Sequence, residues 1–352
     1  MTWKKKTLWL FVLTGSLLLL LAGCGKNEGE NAKAASPLEK NVLVEAKTDV
    51  DLSKVVLRVG AAEGRNAQSI IKAAGLDNTP YKVEFNVMQG GNLVMEALAA
   101  NQMDLGTGSQ IPPLFASQAA NQGNFKIIAT KKGPTLDQEL LIGPDSSIKT
   151  VAELKGKKVA YVKNTTAQYF LAKMLTGGGI SWKDIDAIPM STSDGLSALL
   201  TGEVDAYAGY GNAIRSAHKK GAKTLQSAQQ VLSGDFYWYA TPDSIKDPAK
   251  HAAIADYLAR FHEANEWART HQDEWAKLYS GEINQKPEEF LSILKEENSQ
   301  VHTRIVPVDA ATIASEQDIA NVFHGLGLLK EVDVHGIFDH SFDEIISKFT
   351  KY

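Results

Sequence analysis

Cysteine is nearly absent: Cys24 is the only one in 352 residues. One cysteine cannot close an internal disulfide or build a Cys-based zinc or iron–sulfur site. No histidine precedes His218. His335 and His340 lie five apart with no tight His/Asp/Glu set beside them, so they read as surface residues and no metal site is assigned. There is no Gly-x-Ser-x-Gly, phosphate-loop or His-Glu-x-x-His motif, and no nucleophile–base pair stands out, so no catalytic residue is assigned. Positive charge is not in excess. Lys and Arg number 37 against 41 Asp and Glu, a formal charge of −4, which argues against nucleic-acid binding through the phosphate backbone. After Leu21 no apolar run is long enough to cross a bilayer.

What is present is an ordinary globular composition, 44% hydrophobic, enough for a sizeable core, in a length that suggests about two domains. The N-terminus reads as an address. Lys4, Lys5 and Lys6 precede the apolar run Leu8 to Leu21, and Leu21-Ala22-Gly23-Cys24 follows. Charge, a short apolar stretch, small residues and Cys in that order resemble a bacterial lipoprotein signal cleaved before Cys24, which would carry the lipid. The alternatives are an uncleaved anchor or an ordinary signal with a chance cysteine. Removing residues 1–23, with three lysines and no acid, takes the formal charge from −4 to −7. An acidic body is not held on an anionic membrane by its own surface, so the lipid would have to hold it. Residues 24–51 are Gly/Asn/Glu/Lys/Ala-rich and read as a flexible tether with a reach of ~25–30 Å.

From Val55 onward, strand and helix signals alternate. Val55–Val59 is a β-prone run, Ala67–Ala74 a helix closed by Gly75, and Tyr81–Val87 an alternating half-buried strand. Leu93–Ala100 is helical, Met103–Gly106 a short strand, Pro112-Pro113 a helix start and Phe125–Thr130 a strand. The pattern restarts at Val151. Ala97–Leu105 and Ala198–Ala206 share a helix end, a two-residue turn and an apolar-Asp-apolar strand. This suggests two similar α/β lobes with mainly parallel sheets. Gln138–Gly143 and Phe236–Ala240 are the candidate crossovers, and two crossings imply a hinge and a cleft. Pro248–Tyr279 and Pro287–Lys295 are helical in composition and would return to the first lobe. The expected organisation is therefore signal 1–23, lipidated tether 24–51, lobe one 52–140, lobe two 141–236, and return to lobe one with C-terminal helices 237–352.

Several stretches carry a family resemblance. They are Gln89-Gly90-Gly91 to Glu96-Ala97-Leu98, Asp104-Leu105-Gly106 and Pro112 to Ala116 in the first lobe. Ile148 to Ala160, Gly202 to Tyr207 and Ile337 to Phe342 complete the set. Over about Val55 to Tyr352 the chain resembles the solute-binding lipoproteins of ABC importers, within them the aliphatic sulfonate, taurine and nitrate group. The resemblance implies a type II periplasmic-binding-protein-like α/β fold. Each of its two lobes is a mainly parallel sheet flanked by helices, with the ligand cleft between them. It also implies an extracytoplasmic, membrane-anchored monomer that captures a small organic anion, closes, and delivers it to an importer permease. No cofactor and no enzymatic activity are implied. Where the family commonly has Gly-Asp-Ala before the Pro-Pro pair, this chain has Ser109-Gln110-Ile111. Where it commonly has a Trp-Asp-Pro-Tyr-like turn, this chain has Tyr210-Gly211-Asn212-Ala213. An acid is missing from both places, which fits an anionic or neutral ligand. A thiamine-precursor pyrimidine and nitrate stay open as ligands, and catalysis on the same fold is a third, remote reading.

In open α/β sheets, ligands bind beyond the carboxyl ends of strands, where helix N-termini expose unpaired N–H groups. That rule selects Arg65 and Asn66, Gly90, Gly91 and Asn92, Ser109 and Gln110, and Asn164, Thr165 and Thr166. The family comparison adds Tyr210 and Asn212, and the aromatic group adds Trp238. Arg65 could fork two oxyanion oxygens or be a solvated loop arginine. Gly90-Gly91 could admit a ligand close to the backbone or form a plain turn. Asn164–Thr166 could contact ligand, cap a helix, or both. Tyr207, Tyr210, Tyr237, Trp238 and Tyr239 could pack a ligand's organic tail, cage a quaternary amine, or be hinge and core. Trp267 and Trp275, at helical spacing, read as packing.

Overall fold

The computed structural model of the chain describes residues 50–350 apart from 63–66, 89 and 284. Cys24, the signal segment, Arg65 and Asn66 lie outside the described residues. The strands in chain order are β1 (Val56–Ala62), β2 (Lys82–Met88), β3 (Leu105–Ser109), β4 (Lys126–Lys132), β5 (Gln138–Ile142), β6 (Lys158–Tyr161), β7 (Asp186–Pro189), β8 (Ala206–Tyr210), β9 (Lys223–Ser227), β10 (Asp235–Ala240) and β11 (Arg304–Val306). The helices up to the second crossing are α1 (Ala67–Ala73), α2 (Gly91–Ala99), α3 (Ile111–Ser117), α4 (Thr166–Gly177), α5 (Thr192–Thr201) and α6 (Asn212–Lys219). Beyond it come α7 (Pro242–Lys246), α8 (Pro248–Thr270), α9 (Gln272–Glu282), α10 (Pro287–Gln300), α11 (Ala310–Gly325) and α12 (Asp343–Phe349).

Two sheets form. One has the order β11-β4-β10-β3-β1-β2 and the other β7-β6-β8-β5-β9. In the first, β1 pairs β2 and β3 in parallel; in the second, β6 pairs β7 and β8 in parallel. Each sheet then accepts an inserted antiparallel strand, β10 between β3 and β4, and β5 between β8 and β9, and in the first sheet the edge strand β11 also pairs antiparallel to β4. Both sheets are thus mixed, although most strands in each share one direction. The inserted strands are the two apolar stretches read as crossovers. The crossings themselves are the segments just before them, 133–137 and 228–234. There the amide of Gly133 donates to the carbonyl of Gly234 at 2.9 Å. Gly234 has φ +76°, and a Cβ on it would lie 2.9 Å from the Gly133 oxygen. The two crossings therefore run side by side at a point where a side chain does not fit.

The internal repeat holds at the level of hydrogen bonds. Asn101 and Gly202 take left-handed φ values of 54° and 76° at the equivalent helix ends. In each lobe the following aspartate exchanges bonds with the neighbouring strand. Asp104 N donates to Arg58 O and its carboxylate accepts from Arg58 N at 2.9 Å. Asp205 N donates to Lys158 O and its carboxylate accepts from Lys158 N at 2.9 Å. The apolar-Asp-apolar spacing is thus a device that fixes strand register in both lobes.

Helices cover both faces of both sheets. On lobe one, Ile70 and Ile71 of α1 pack with Leu57, Val59, Tyr257, Trp275 and Phe342. Val94 and Leu98 of α2, Leu114 of α3 and Phe323 of α11 fill the opposite face. On lobe two, Phe170 and Leu171 of α4 lie on one side, Leu199 of α5 and Ile214 of α6 on the other. The long C-terminal helical stretch is broken at His271, which stacks on Trp267 at 5.4 Å and separates α8 from α9. Trp267 and Trp275 are core residues, as their spacing suggests.

Candidate functional site

The lobe-two half of the site grows from the ends of β6 and β8. After β6 the chain turns through Asn164, whose φ is +58°, a conformation asparagine tolerates better than most residues. The Asn164 amide donates to Gln168 Oε1 at 2.8 Å. Thr165 is the N-cap of α4. Its hydroxyl accepts from Ala167 N at 3.3 Å and donates to the Val162 carbonyl at 2.7 Å. Thr166 Oγ1 donates to Gln138 Oε1 at 2.6 Å. Gln138 opens β5 directly opposite Tyr210, and Gly211 N donates to Asp137 O at 2.7 Å. Three segments therefore meet beyond one end of this sheet: Asn164–Thr166, Asp137-Gln138 and Tyr210–Asn212. Asn164, Thr165, Thr166 and Tyr210 are half-buried and Asn212 is exposed, so polar groups of these loops reach solvent. Capping and availability to a ligand coexist at Thr165.

The lobe-one half lies at the starts of α2 and α3. Gly91 begins α2 against Pro112 of α3, where a Cβ would come within 2.8 Å of the Pro112 ring. The close approach at Gly91 is thus helix against helix, whereas a Cβ at Gly90 would meet Asn92 Oδ1 at 2.7 Å. Asn92 is exposed on the same helix start. Ser109 ends β3, and its carbonyl accepts from Tyr239 Oη at 2.5 Å. Gln110 is buried. Its Nε2 donates to Tyr237 Oη at 3.0 Å and to Glu316 Oε2 and Ser315 Oγ at 3.3 Å, while its Oε1 accepts from Ser233 Oγ at 2.8 Å.

The two halves are tied by contacts at the hinge side. Tyr169 Oη and Lys173 Nζ of α4 both reach Asp318 of α11, at 2.9 and 3.2 Å. Arg215 of α6 bonds Asp137 and lies 3.4 Å from Glu297 of α10, and Lys219 meets Glu289 at 2.8 Å. Between α4, the second crossing and α11 is a cavity of about 560 Å³ that Gln110 also lines. A more open cavity of about 670 Å³ lies on lobe two alone, beyond β6 and β7, with Lys163, Ser191 and Asp194 on its wall.

Trp238 is the exception among the expected ligand residues. It is fully buried in mid-sheet, opposite Thr107 and Ala129, with Tyr257 and Phe261 edge-on at 6.0 and 5.2 Å. Its ring fills the lobe-one core and does not reach the strand ends. Tyr207, Tyr237 and Tyr239 are buried as well; burial raises their phenol pKa values. Core and hinge packing is therefore the reading that holds for this group, and they form no cage. Gln138, Gln168 and Glu316 belong to the same polar frame but were not selected from the sequence. Gln138 was hidden inside an apolar stretch, and the other two lie within helices. Among the described residues, no group of three His, Cys, Asp or Glu could hold a metal ion, and no helix is long and apolar enough to cross a membrane.

The profile of the family described as NMT1/THI5 like matches residues 72–247. An Escherichia coli (strain K12) protein provisionally named an aliphatic sulfonates-binding protein is 28% identical over 80% of this chain and 88% of its own length. A Bacillus subtilis (strain 168) protein with the same provisional name is 28% identical over 93% of both chains. The crystal structure of the periplasmic aliphatic sulphonate binding protein SsuA from Escherichia coli superposes with a TM-score of 0.72. It is 26% identical, and the match covers 81% of this chain and 92% of that one.

Proposed function

We propose, for a chain that belongs to the NMT1/THI5-like family, the capture of a small aliphatic sulfonate in the cleft between its two lobes. The observation that carries this reading is the match along nearly the whole chain to relatives named for aliphatic-sulfonate binding. The local chemistry agrees with it. A sulfonate is a compact anion with three acceptor oxygens. The half-buried polar loop Asn164–Thr166 at the start of the 12-residue helix α4 supplies hydroxyl and amide donors where the helix dipole favours negative charge. Asn212, Asn92 and Ser109 supply further neutral polar groups, with Arg65 as a candidate cation. Gln110 is the lobe-one residue that joins this cleft to the hinge.

Capture works by lobe closure. A ligand touching both lobes binds the closed arrangement better and shifts the population toward it by that difference. The closed form then docks on the permease of an ABC importer, whose ATPase supplies the energy. No bond in the solute is made or broken, so the protein acts as a binding module and not as an enzyme. The body sits outside the cytoplasmic membrane, held through lipid on Cys24 and a tether up to about residue 51, with lobe one at 52–140 and 237–352 and lobe two at 141–236. It works as a monomer without cofactor. With a formal charge of −7 after cleavage, long-range attraction does not draw an anion in. Short-range donors in the cleft must do so.

A thermal-shift panel tests this. Alkanesulfonates raise the unfolding temperature through mass action, whereas nitrate, quaternary amines and aminopyrimidines leave it unchanged. A shift with an aminopyrimidine and none with any sulfonate replaces the ligand and keeps the fold. Mass spectrometry of the mature protein is expected to find Cys24 at the N-terminus carrying lipid, and an unmodified Cys24 would contradict the lipid anchor.

A further inference from the structure

Glu316 lies on α11 in the lobe-one interior with no exposed surface. Its Oε2 accepts from Tyr237 Oη at 3.0 Å and Gln110 Nε2 at 3.3 Å, and its Oε1 has no partner among the described residues. The contrast with Asp104 is instructive. That equally buried carboxylate receives Arg58, Lys250 and Ser244, while no ion pair involves Glu316 among the described residues. Two neutral donors on one oxygen do not offset the desolvation of a full negative charge. The groups around Glu316 do not help the charge either. On β10 they are Tyr237, Tyr239 and Asp235, the last paired with Lys132 at 2.5 Å but still repelling a second negative charge. On α4 the group that feels Glu316 is Tyr169, and both it and the neighbouring Lys173 are engaged by Asp318 of α11 itself. Burial and the nearby Asp235 raise the Glu316 pKa well above the carboxylate range, against the lowering effect of Tyr237 and Gln110.

The same carboxyl sits at a mechanical junction. Gln110 begins the turn into α3 and is bonded on one side to Glu316, Tyr237 and Ser315 and on the other to Ser233. Ser233 adjoins Gly234, where the two crossings touch. The Gln110 amide therefore spans from the lobe-one core to the hinge. We propose that Glu316 is held as a neutral carboxylic acid and positions Gln110, so that one buried proton fixes the β3–α3 loop to the second crossing. An ionised Glu316 would have to draw in water or swing away, and Gln110 would lose the frame that orients it.

The test compares wild type with Glu316→Gln, a permanently neutral near-isostere. An acid whose pKa is raised by folding stabilises the fold fully below its unfolded pKa of about 4.3, and this is lost as pH rises toward the folded value. Denaturant titrations upward from pH 5 should therefore show the wild type losing ground to Glu316→Gln, by at most about tenfold in folding constant per pH unit and only until the folded carboxyl ionises. Parallel curves would overturn the proposal. A second arm rests on the sulfonate reading and uses pentanesulfonate in calorimetry. Glu316→Gln should bind within about threefold of wild type, Glu316→Ala and Gln110→Ala at least about tenfold more weakly, and the double variant no worse than either single. Wild-type affinity in Glu316→Ala alongside a weakened Gln110→Ala would reduce Glu316 to a structural residue and overturn its positioning role. If Glu316→Ala does not fold, Tyr237→Phe takes its place with the same expected weakening. If pentanesulfonate binds no variant, the ligand reading has failed and the pH comparison alone decides the proton.

Discussion

Replacing Asp104 by Ala should destabilise the protein far more than replacing Asp205, although the two occupy equivalent places in the repeat. Both carboxylates accept the amide of the neighbouring strand at 2.9 Å. Asp104 is fully buried and also receives Arg58 Nε and Nη2 at 2.9 and 2.8 Å, Lys250 Nζ at 2.7 Å and Ser244 Oγ at 3.1 Å. Asp205 keeps a side chain 37% exposed and only a loose pair with Lys157 at 3.9 Å. Breaking a buried pair by removing one partner costs about 3–5 kcal/mol. Arg58 and Lys250 retain 29% and 30% of their side-chain exposure, so water re-solvates them in part and the lower end, about 3 kcal/mol, applies. The Asp205 change removes one partly exposed charged hydrogen bond, about 1 kcal/mol. Urea unfolding at pH 7 measures both. The gap between wild type and Asp104→Ala should hold above roughly pH 4 and close below it. Burial pushes the Asp104 pKa up, but the bonds from Arg58 and Lys250 outweigh it and leave it lowered. A lowered pKa gives stability that is present above the unfolded value of about 3.9 and lost as pH falls toward the folded one. Equal losses for the two variants, or less than about 1 kcal/mol for Asp104→Ala, would mean that the buried ion-pair cluster does not hold the strands in register.

Three further substitutions have expected outcomes. Thr166→Val removes the donor to Gln138 Oε1, and should lower stability by about 1 kcal/mol and weaken sulfonate binding about tenfold in calorimetry. Trp238→Ala should destabilise by about 3–5 kcal/mol through a core cavity, with the affinity of the folded protein unchanged; a selective loss of affinity would return Trp238 to the site. Arg65→Ala should weaken anion binding at least about tenfold, near 1.4 kcal/mol, and an unchanged Kd would remove Arg65 from the site.

The parts of the fold written in local residue patterns were legible in the sequence. Gly75, the alternation of Tyr81 to Phe85 and Pro112-Pro113 each specify their neighbours' backbone and appear where expected, although Val87 at the end of that strand is exposed. The repeated apolar-Asp-apolar junction located both lobes, because register depends on a bond each aspartate makes to an adjacent strand. Non-local pairing was not legible. Nothing in Gln138–Ile142 or Asp235–Ala240 says that each inserts antiparallel between two strands distant in sequence. The candidate site divided in the same way. Loops at helix starts follow from strand–helix order, so Ser109, Gln110 and Asn164–Thr166 could be named. Trp238 could not be distinguished from a cleft aromatic, because its direction depends on the pairing of β10. Glu316 carries no local signal: a glutamate in an ordinary helix is usually solvated, and only the packing of α11 against β10 buries it.

On the reading proposed above, this fold closes on a sulfonate by local donors rather than by its overall field. Calorimetric titration of the purified protein with pentanesulfonate at low and high salt tests it most directly. Saturable one-to-one binding is expected, changing by less than about threefold between roughly 0.05 and 0.5 M salt, since a desolvated contact in a cleft is screened little. No binding of any alkanesulfonate, with saturable binding of an aminopyrimidine under the same conditions, would contradict it.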